Sequence, residues 1–592
     1  MTNMPRKPLR SRFNAKKTFI VIGALVVSCI LIFLGFLYLN PAYAESPGAL
    51  TFIKDNTARQ QKIEQELRAY YQAGKYTFNE PLVIQDPYQS APLTALVMFD
   101  TPENSQISIH VPGKSPESAV DFTVPGYQQH HEIPIYGLYA DMLNHVTVRM
   151  QTQNGKSAQT VLDLQTEPLP VYIKNFAINK VDPGKYDPGF NFAFLAGGLV
   201  VFDIDGNVRW YSPQSSFQVF TKLQNGRFMR TYTEGVEGNV MMEQDLLGKI
   251  YAIYYVADGI HHDVYELPTG NLLITSSDMR SNTTKDYLVE VDRKNGHIVR
   301  SFDMKDILDP GRPHQVLQLA VTDWLHLNSI VYDPSDHSII ISSKAQSAVV
   351  KLSYPAMKIQ WILGPHDNWS PKYQPYLLTP VGADFEWQWS QHHVTLYNPS
   401  NPGDPFIDIL LFDNGNYRSF TSATAFPPSA WYSMVAHYRI NEAAKTVQLV
   451  WEYGRELGSA TFSAARGGVY HLPNGNILGT WGDIYRDAQG NPADSSRATG
   501  TSQTRIIEVD PSNNAVVFDC SVFAETYRTM RMGMYDGYSE KNDFLSMPLN
   551  NTTGNDMVNR SVLAWRDIRR WTVTPLVSDL KTWVRRIRSA IK

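Results

Sequence analysis

The chain has 592 residues, of which 43% are apolar and 12% aromatic, with 37 glycines and 36 prolines scattered along it. This length excludes a single small domain and predicts two to four folding units or one large repeat fold, since single cores stop growing near roughly 250–300 residues. The apolar fraction excludes wholesale disorder.

The formal charge of −4 hides basic ends around an acidic body. Residues 1–17 carry six basic side chains and no acid, and residues 560–592 carry nine basic and two acidic side chains. A nucleic-acid binder needs a basic face on its folded domain, so this distribution excludes that class. Basic ends on an acidic body indicate contact with an anionic membrane.

Residues 19–40 form a 22-residue stretch without a charge, long enough to span a bilayer. With the basic residues 1–18 in the cytoplasm, it predicts a single-pass transmembrane anchor or signal segment and an exported body at the cell membrane, periplasmic or extracellular. Cleavage after Ala44 would make the protein secreted. Cys29 lies in this stretch and Cys520 is the other cysteine, so the body has no internal disulfide.

Helix formers over 50–74 end at Gly74 and predict a helical stalk or linker within 45–80. Short alternating apolar runs separated by turn residues then predict a small β-sandwich-like domain over 81–175.

An internal repeat occupies residues 185–530. One half of each unit is an apolar strand, an Asp-rich turn and a strand that often ends in Trp; its copies are 200–212, 241–254, 287–302, 349–363, 437–453 and 505–520. The other half is a strand, a turn of the Leu-Pro-x-Gly-Asn type and a strand, as in 264–276 and 469–481. Six units of four strands predict an all-β fold with a six-bladed β-propeller.

Residues 555–592 fit no strand of the repeat. Apolar residues recur there at helical spacing with arginines between them, which predicts a basic amphipathic tail. This tail would lie on a membrane or pack against the acidic body.

Three histidines occur at the same place in consecutive units: His262, His326 and His392 each precede the first strand of the second repeat half. First strands line the central channel of a propeller, so the three imidazoles should converge near its mouth. Because neighbours on a strand point to opposite faces, only one member of the doublets 261–262 and 392–393 should face the channel.

Converging histidines favour either a metal site or nucleophilic catalysis by a neutral imidazole. No carboxylate recurs at matched positions, and HxH and HExxH motifs are absent from the sequence, so we expect no metal and favour the neutral imidazole. Arg418 is a candidate for anion binding, and Trp389 and Tyr397, with Trp387, are candidates to contact an aromatic ring.

Several stretches between residues 80 and 530 resemble the bacterial aryl-sulfate sulfotransferases. They include QDPYQSAPLTALVMFD (85–100), IPIYGLYADMLNHVTV (133–148), DWLHLNSIVYDPSDHSIIISS (323–343), QWILGPHDNW (360–369), SQHHVTLY (390–397) and LLFDNGNYR (410–418).

The resemblance implies a six-bladed propeller with a small N-terminal β domain. It implies an enzyme that moves a sulfuryl group from a phenolic sulfate ester to a phenol without the nucleotide donor PAPS and without a cofactor. His392 matches the family's nucleophile, which would form a sulfohistidine. His262 and His326 match its other active-site histidines, which would give the leaving phenolate a proton or stabilise its charge. Asn328, two residues beyond His326, would bind the substrate. A homodimer through the β domain is also implied.

The chain departs from the family pattern at three points. Lys344 stands where the family has an arginine that binds the sulfuryl group, and it keeps the charge but not the planar fork. The loop before His392 has no cysteine, whereas family members have a disulfide there. The body is predicted to be anchored, whereas those members are soluble after cleavage of a signal peptide. The alternatives to a transferase are a sulfatase-like hydrolase and a non-catalytic propeller that binds a partner.

Overall fold

The computed structural model describes residues 47–195, 198–214, 219–232, 240–256, 258–278, 281–313, 322–397, 402–420, 425–493, 498–500, 502–538 and 550–551. The predicted anchor at 19–40, the basic N-terminus and the tail at 555–592 lie outside these residues. No helix in the described ranges combines the length and apolar character needed to cross a bilayer. Apart from one long helix and a few short 3-10 helices, the regular structure of the described residues consists of β-strands. The all-β prediction is confirmed.

A six-stranded sheet lies where the small β domain was predicted. Its strands are β1 (Leu82–Gln85), β2 (Ala95–Val111), β3 (Val120–Thr123), β4 (Gln128–Ile135), β5 (Leu143–Thr152) and β6 (Ser157–Gln165). The long strand β2 pairs with β1 and β4 through its first half and with β5 and β3 through its second. One strand therefore organises the whole unit.

In the described part of the chain, the region of the internal repeat forms six further sheets. Their strands are β7 (Ala177–Val181), β8 (Phe190–Leu195), β9 (Gly198–Phe202), β10 (Val208–Tyr211), β11 (Phe220–Lys222), β12 (Phe228–Tyr232), β13 (Val240–Gln244), β14 (Ile250–Tyr255), β15 (Val264–Glu266), β16 (Leu272–Ser276), β17 (Tyr287–Val291), β18 (Ile298–Asp303), β19 (Leu327–Asp333), β20 (Ser338–Ser343), β21 (Ala348–Ser353), β22 (Ile359–Leu363), β23 (Thr379–Pro380), β24 (His392–Leu396), β25 (Phe406–Asp413), β26 (Met434–Asn441), β27 (Thr446–Tyr453), β28 (Gly468–His471), β29 (Ile477–Arg486), β30 (Pro492–Ala493), β31 (Gln503–Asp510), β32 (Ala515–Val522), β33 (Thr526–Met532) and β34 (Asn550–Asn551).

Most sheets are antiparallel meanders of consecutive strands, such as β15–β18 and β19–β22. The first sheet combines β8, β9 and β10 with β33 from the far end of the chain, and β7 extends the last sheet by pairing with β32. The sheets therefore reach beyond the predicted limits of 185 and 530. These closing strands carry neither half of the repeat, which is why the repeat did not reveal them.

The first strands of neighbouring sheets contact one another in series, from β11 through β15, β19, β24 and β28 to β33. A serial order of this kind is typical of a propeller-like fold. It places the starts of β15, β19 and β24 side by side.

Tryptophans that end repeat strands tie neighbouring sheets together. Nε1 of Trp210 in β10 donates to the backbone oxygen of Leu246, at 2.7 Å, and Nε1 of Trp361 in β22 donates to Glu442, at 2.6 Å. Both indoles are fully buried. Each therefore combines a large apolar contact with a satisfied polar group.

The helix α1 (Pro47–Ala73) packs against the start of β14 in the second sheet. The side-chain amide of Gln60 accepts from the backbone nitrogen of Ile250 and donates to its oxygen, both at 2.8 Å, as a neighbouring strand would. Glu64 forms a buried ion pair with Lys249 at 2.9 Å. This part of the predicted stalk is therefore docked on the body. Short 3-10 helices occupy loops at Pro116–Ser118, Met304–Asp306, Gln374–Tyr376, Pro428–Ala430 and Arg455–Thr461.

Candidate active site

Three histidines meet where three consecutive inner strands begin. His262 lies just before β15, His326 directly precedes β19, and His392 is the first residue of β24. The ring centroids of His262 and His326 are 4.6 Å apart, and those of His326 and His392 are 6.5 Å apart. All three are buried. The structure thus brings together the histidines at matched repeat positions, and we call them the histidine cluster.

The backbone at this end of the strands adopts an uncommon conformation. His262 and His326 both have φ of 50°, and Ser390 and His393, on either side of His392, have φ of 55° and 51°. A left-handed conformation costs a residue with a side chain about 1–3 kcal/mol, and it persists where the surroundings enforce it. Four such residues at one place indicate a strained, pre-shaped site.

Each histidine doublet divides between two directions. Nε2 of His261 donates to the backbone oxygen of Ser276, at 2.8 Å, so its Nδ1 accepts from Nδ1 of His262, at 3.0 Å. In the second doublet, Nδ1 of His393 accepts from the backbone nitrogen of Val469, at 3.1 Å. One member of each doublet therefore bonds to surrounding strands, and the other belongs to the histidine cluster.

Asn414 assigns the tautomer of His392. Its Nδ2 donates to the backbone oxygens of Ser463, at 2.8 Å, and Arg466, at 2.7 Å, so its Oδ1 faces Nδ1 of His392 at 2.6 Å. A carbonyl oxygen only accepts, and this bonding pattern therefore puts the hydrogen on Nδ1 and leaves a lone pair on Nε2. Burial, reinforced by the charge of Lys344, holds the pKa of His392 well below its usual value. The ring is a neutral imidazole.

A carboxylate, by contrast, lies behind His326. Oδ2 of Asp323 is 2.6 Å from Nδ1 of His326 and accepts from Nζ of Lys285 at 2.8 Å. Burial disfavours its ionisation, but the bond with His326 and the nearby positive charges prevail and lower the pKa of Asp323 to about 2. Burial lowers the pKa of His326 to about 4 against the attraction of Asp323. An ionised carboxylate therefore stands ready to stabilise a protonated His326.

Lys344 brings positive charge to the site. It directly follows β20, and its backbone nitrogen donates to the oxygen of His326 at 3.2 Å. The residue is 3% exposed, and burial lowers the pKa of Lys344 to about 8, with Asp483 acting in the opposite direction. At neutral pH it is a buried ammonium, suited to binding an anionic oxygen.

Asn328 holds the backbone beside His392. Its Nδ2 donates to the backbone oxygen of Gln391 at 2.7 Å. The amide of Gln391 donates in turn to Oγ of Ser342, at 3.0 Å, and to the backbone oxygen of Ala348, at 3.0 Å. These bonds join the start of β24 to β19, β20 and β21. Asn328 therefore positions the backbone at the site.

Arg418 lies in an ion-pair network. Nη1 is 2.9 Å from Glu386 and Nη2 is 3.0 Å from Asp413. The guanidinium also lies over the ring of Tyr432, 3.7 Å from its centroid. Two carboxylates therefore compensate the positive charge of Arg418, which the sequence had made a candidate for binding an anion.

The aromatic candidates have other neighbours. The Trp389 ring packs against Phe420, with centroids 5.2 Å apart. Tyr397 follows the far end of β24 and stacks between His437 and His471, at 4.3 Å and 4.1 Å. The strand separates it from His392 by about 16 Å.

The closing strand β33 contributes two residues that sequence analysis missed. The ring centroid of Tyr527 lies 6.0 Å from that of His262 and 6.3 Å from that of His392. The buried guanidinium of Arg528 donates to Asp263 at 2.9 Å. The alternation in TYRTMRM was an available signal for this strand. Among the described residues, no group of three or more His, Cys, Asp and Glu side chains is arranged to hold a metal ion.

Comparison with known proteins decides the family. The model of the arylsulfotransferase (ASST) family matches residues 178–532, more than half of the chain. The chain belongs to the arylsulfotransferase family. The model of the arylsulfotransferase Ig-like domain matches residues 82–167. The resemblance seen in the sequence is thereby confirmed, and the protein is a sulfotransferase.

Two relatives carry the same description. Arylsulfate sulfotransferase AssT of Escherichia coli O6:H1 is 28% identical, over 69% of this chain and 86% of its own length. Arylsulfate sulfotransferase AssT of Lelliottia amnigena is 26% identical over the same shares, 69% and 86%. Among solved structures, hydrazine synthase of Kuenenia stuttgartiensis aligns over 52% of this chain and 66% of its own, with 12% identity and a TM-score of 0.28. A likeness that low carries no argument.

Proposed function

We propose that the protein moves a sulfuryl group from a phenolic sulfate ester to a phenolic acceptor without PAPS, through a sulfohistidine on His392. The observation that carries this proposal is the neutral His392, whose Nε2 keeps a lone pair inside the histidine cluster. The relatives named arylsulfate sulfotransferase support this class of donor. We also infer that the six sheets are blades of a six-bladed propeller, since their inner strands contact in series and β33 completes the first sheet.

In the first half-reaction, the lone pair on Nε2 of His392 forms a bond to sulfur as the bond between sulfur and the phenolic oxygen breaks. The electron pair of that bond leaves with the phenolate. Lys344 would bind the sulfuryl oxygens, whose charge needs a fixed positive group. The product is an N-sulfonated imidazolium whose Nδ1 hydrogen still faces Asn414.

The departing phenolate needs a proton, and His326 is suited to supply it. An anionic sulfate ester at the site would favour the protonated imidazole, and Asp323 would stabilise that cation at 2.6 Å. His262, 4.6 Å away between ring centroids, would share this work.

In the second half-reaction, an acceptor phenol replaces the first one. Neutral His326 takes its proton, the phenolate oxygen bonds to sulfur, and the electron pair of the N–S bond returns to Nε2. The enzyme is restored, so the kinetics should be ping-pong.

The test is the release of nitrophenol from 4-nitrophenyl sulfate with and without added phenol. We expect His392→Ala to abolish phenol-dependent release and the modified histidine seen by peptide mass analysis. His393→Ala is the matched control, because His393 bonds to Val469 outside the cluster. Phenol-dependent release by His392→Ala would overturn the proposal. Free sulfate at an equal rate with and without phenol would indicate a sulfatase-like hydrolase instead.

We further propose that the body is exported and held at the cell membrane. The support is the six basic residues before the uncharged stretch 19–40. If the body is extracellular, protease added to intact cells should degrade it. If the body is periplasmic, protease should degrade it only after the outer membrane is permeabilised. Protection in permeabilised cells would overturn export, and recovery of the body in the soluble fraction with an N-terminus after Ala44 would overturn the anchor.

A further inference from the structure

Two histidines of the cluster are backed by chemically different partners. Nδ1 of His392 faces an amide oxygen of Asn414 at 2.6 Å, whereas Nδ1 of His326 faces a carboxylate oxygen of Asp323, also at 2.6 Å. Each partner fixes the orientation of its ring. They differ in charge, and charge decides how strongly each imidazole holds a positive state.

We propose that Asn414 is a positioning residue that presents Nε2 of His392 to sulfur and, by being uncharged, keeps the sulfonated His392 reactive toward the acceptor. This inference rests on the proposed sulfohistidine. Asp323 has the opposite task at His326, where a protonated imidazole must be stabilised.

The orientation of Asn414 is determined by its surroundings. Its two amide hydrogens are taken by the backbone oxygens of Ser463 and Arg466, at 2.8 Å and 2.7 Å, so the amide cannot turn without losing both bonds. It is fully buried. The amide therefore accepts from Nδ1 in every step of the cycle, and His392 cannot present the wrong nitrogen.

The charge of the adduct explains the choice of an amide. When Nε2 bonds to sulfur, the ring becomes cationic while Nδ1 keeps its hydrogen. A carboxylate at 2.6 Å would stabilise that cation in a buried site and slow the return of the electron pair to Nε2. An amide oxygen aligns the ring without adding a full negative charge, so the N–S bond stays easy to break.

The other groups around His392 disfavour a positive charge on its ring. Burial, followed by Lys344 at the end of β20, His326 before β19 and Arg528 on β33, lowers the pKa of His392, whereas the hydrogen bond with Asn414 acts in the opposite direction without a full negative charge. The nearby Tyr527 is un-ionised at neutral pH, because burial raises its pKa to about 12. His393 is held neutral by burial, which lowers its pKa well below the usual value. These surroundings disfavour positive charge on His392, as a good leaving imidazole requires.

The experiment compares Asn414→Asp with Asn416→Asp. Asn416 is equally buried in the same loop, and its Nδ2 donates to the backbone oxygen of Ala464 at 2.9 Å, so it matches Asn414 in depth and amide chemistry. The labelled adduct is formed with 4-nitrophenyl sulfate, freed of donor and mixed with phenol, and its decay is followed. We expect Asn414→Asp to slow the phenol-dependent decay of the adduct at least tenfold. Because the adduct then accumulates during turnover, kcat and the KM for donor should fall together. Asn416→Asp should stay within about twofold of the unchanged protein.

Equal decay rates for the two aspartate variants would overturn the inference. If Asn414→Asp does not fold, as judged by thermal melting, Asn414→Ser decides instead. Its hydroxyl accepts or donates, so both tautomers of His392 should appear in the nitrogen NMR spectrum and the nitrophenol burst should slow at least tenfold. An unchanged burst with a single tautomer would overturn the inference. Absence of any adduct on the unchanged protein would instead overturn the proposed function, and the two failures are thereby distinguished.

Discussion

Oδ2 of Asp323 lies 2.6 Å from Nδ1 of His326, three residues along the chain, and the same oxygen accepts from Lys285. This carboxylate gives the ring a negative partner for its protonated state. In the proposed mechanism this pair exchanges a proton with a phenolic oxygen, so its contribution should depend on how much the leaving phenolate needs that proton.

We expect Asp323→Asn to make the first half-reaction more sensitive to the leaving group. Nitrophenolate leaves readily without a proton, so release from 4-nitrophenyl sulfate should fall less than about tenfold. Unsubstituted phenolate is more basic, and turnover of phenyl sulfate should fall about 10²–10⁴-fold, the usual worth of general acid catalysis. Single-turnover rates over a series of substituted phenyl sulfates give the slope. An equal loss for all donors would show that Asp323 is only structural.

Lys344 should give the enzyme an alkaline limit. Burial lowers the pKa of Lys344 to about 8, so the ammonium is present below that pH and lost above it. We expect activity to decline above pH 8 and the decline to disappear in Lys344→Arg, since guanidinium stays charged. Lys344→Met should lose about 10²–10³-fold in kcat at pH 7. The pH profile of kcat/KM, which reports the pKa values of the free enzyme, measures the decline, and kcat at pH 7 measures the loss in Lys344→Met. A decline retained in Lys344→Arg would contradict this role.

Arg418 should matter for stability more than for the chemistry. Arg418→Met leaves Asp413, which is fully buried, without its cation at 3.0 Å, and breaking a buried pair costs about 3–5 kcal/mol. Urea unfolding measures this loss. Arg439→Met is the control, because its pair with Asp408 is exposed and worth about 0–1 kcal/mol. A normal unfolding midpoint with a raised KM for donor would contradict the expectation.

The same variant should change how stability depends on pH. Burial raises the pKa of Asp413 to about 6, while Arg418 acts to lower it. A carboxyl whose pKa is raised by folding binds its proton more tightly in the folded state, so the free energy of unfolding falls as pH rises from about 4 to 6. Without Arg418 this fall should continue above pH 6. Unfolding curves at pH 5, 6, 7 and 8 measure it, and parallel pH profiles would contradict the assignment.

The helix α1 should depend on its buried ion pair. Glu64→Ala removes a buried carboxylate that pairs with the fully buried Lys249, and it should cost about 3–5 kcal/mol or release the helix to proteolysis. Glu66→Ala is the control, because its pair with Lys62 at 3.8 Å is exposed and worth about 0.5 kcal/mol. Equal protease sensitivity of the two variants would show that the helix is not held by Glu64.

Much of the architecture was readable from periodicity. Alternating runs and repeated turns predicted strands, the six copies of the repeat predicted six four-stranded units, and matched positions brought out His262, His326 and His392. These features depend on local chain chemistry, such as side-chain alternation and turn residues, which a repeat displays several times.

The partners of the histidines were not readable in this way. Asp323 and Asn414 were missed because neither recurs at a repeat position, and Tyr527 and Arg528 because β33 joins a sheet formed at the other end of the chain. Arg418 looked like an anion site until Glu386 and Asp413 were seen around it. Sequence spacing does not reveal which charges meet across sheets.

The sequence by itself determined the strand pattern, the charge layout, the family and which three imidazoles face one another. Only the tertiary structure decided the tautomer and the charge of each imidazole, because these depend on burial and on the group behind the ring. Burial keeps His392 neutral, and an amide from one loop leaves the lone pair of that ring on Nε2, whereas a carboxylate from another loop supports a proton on His326.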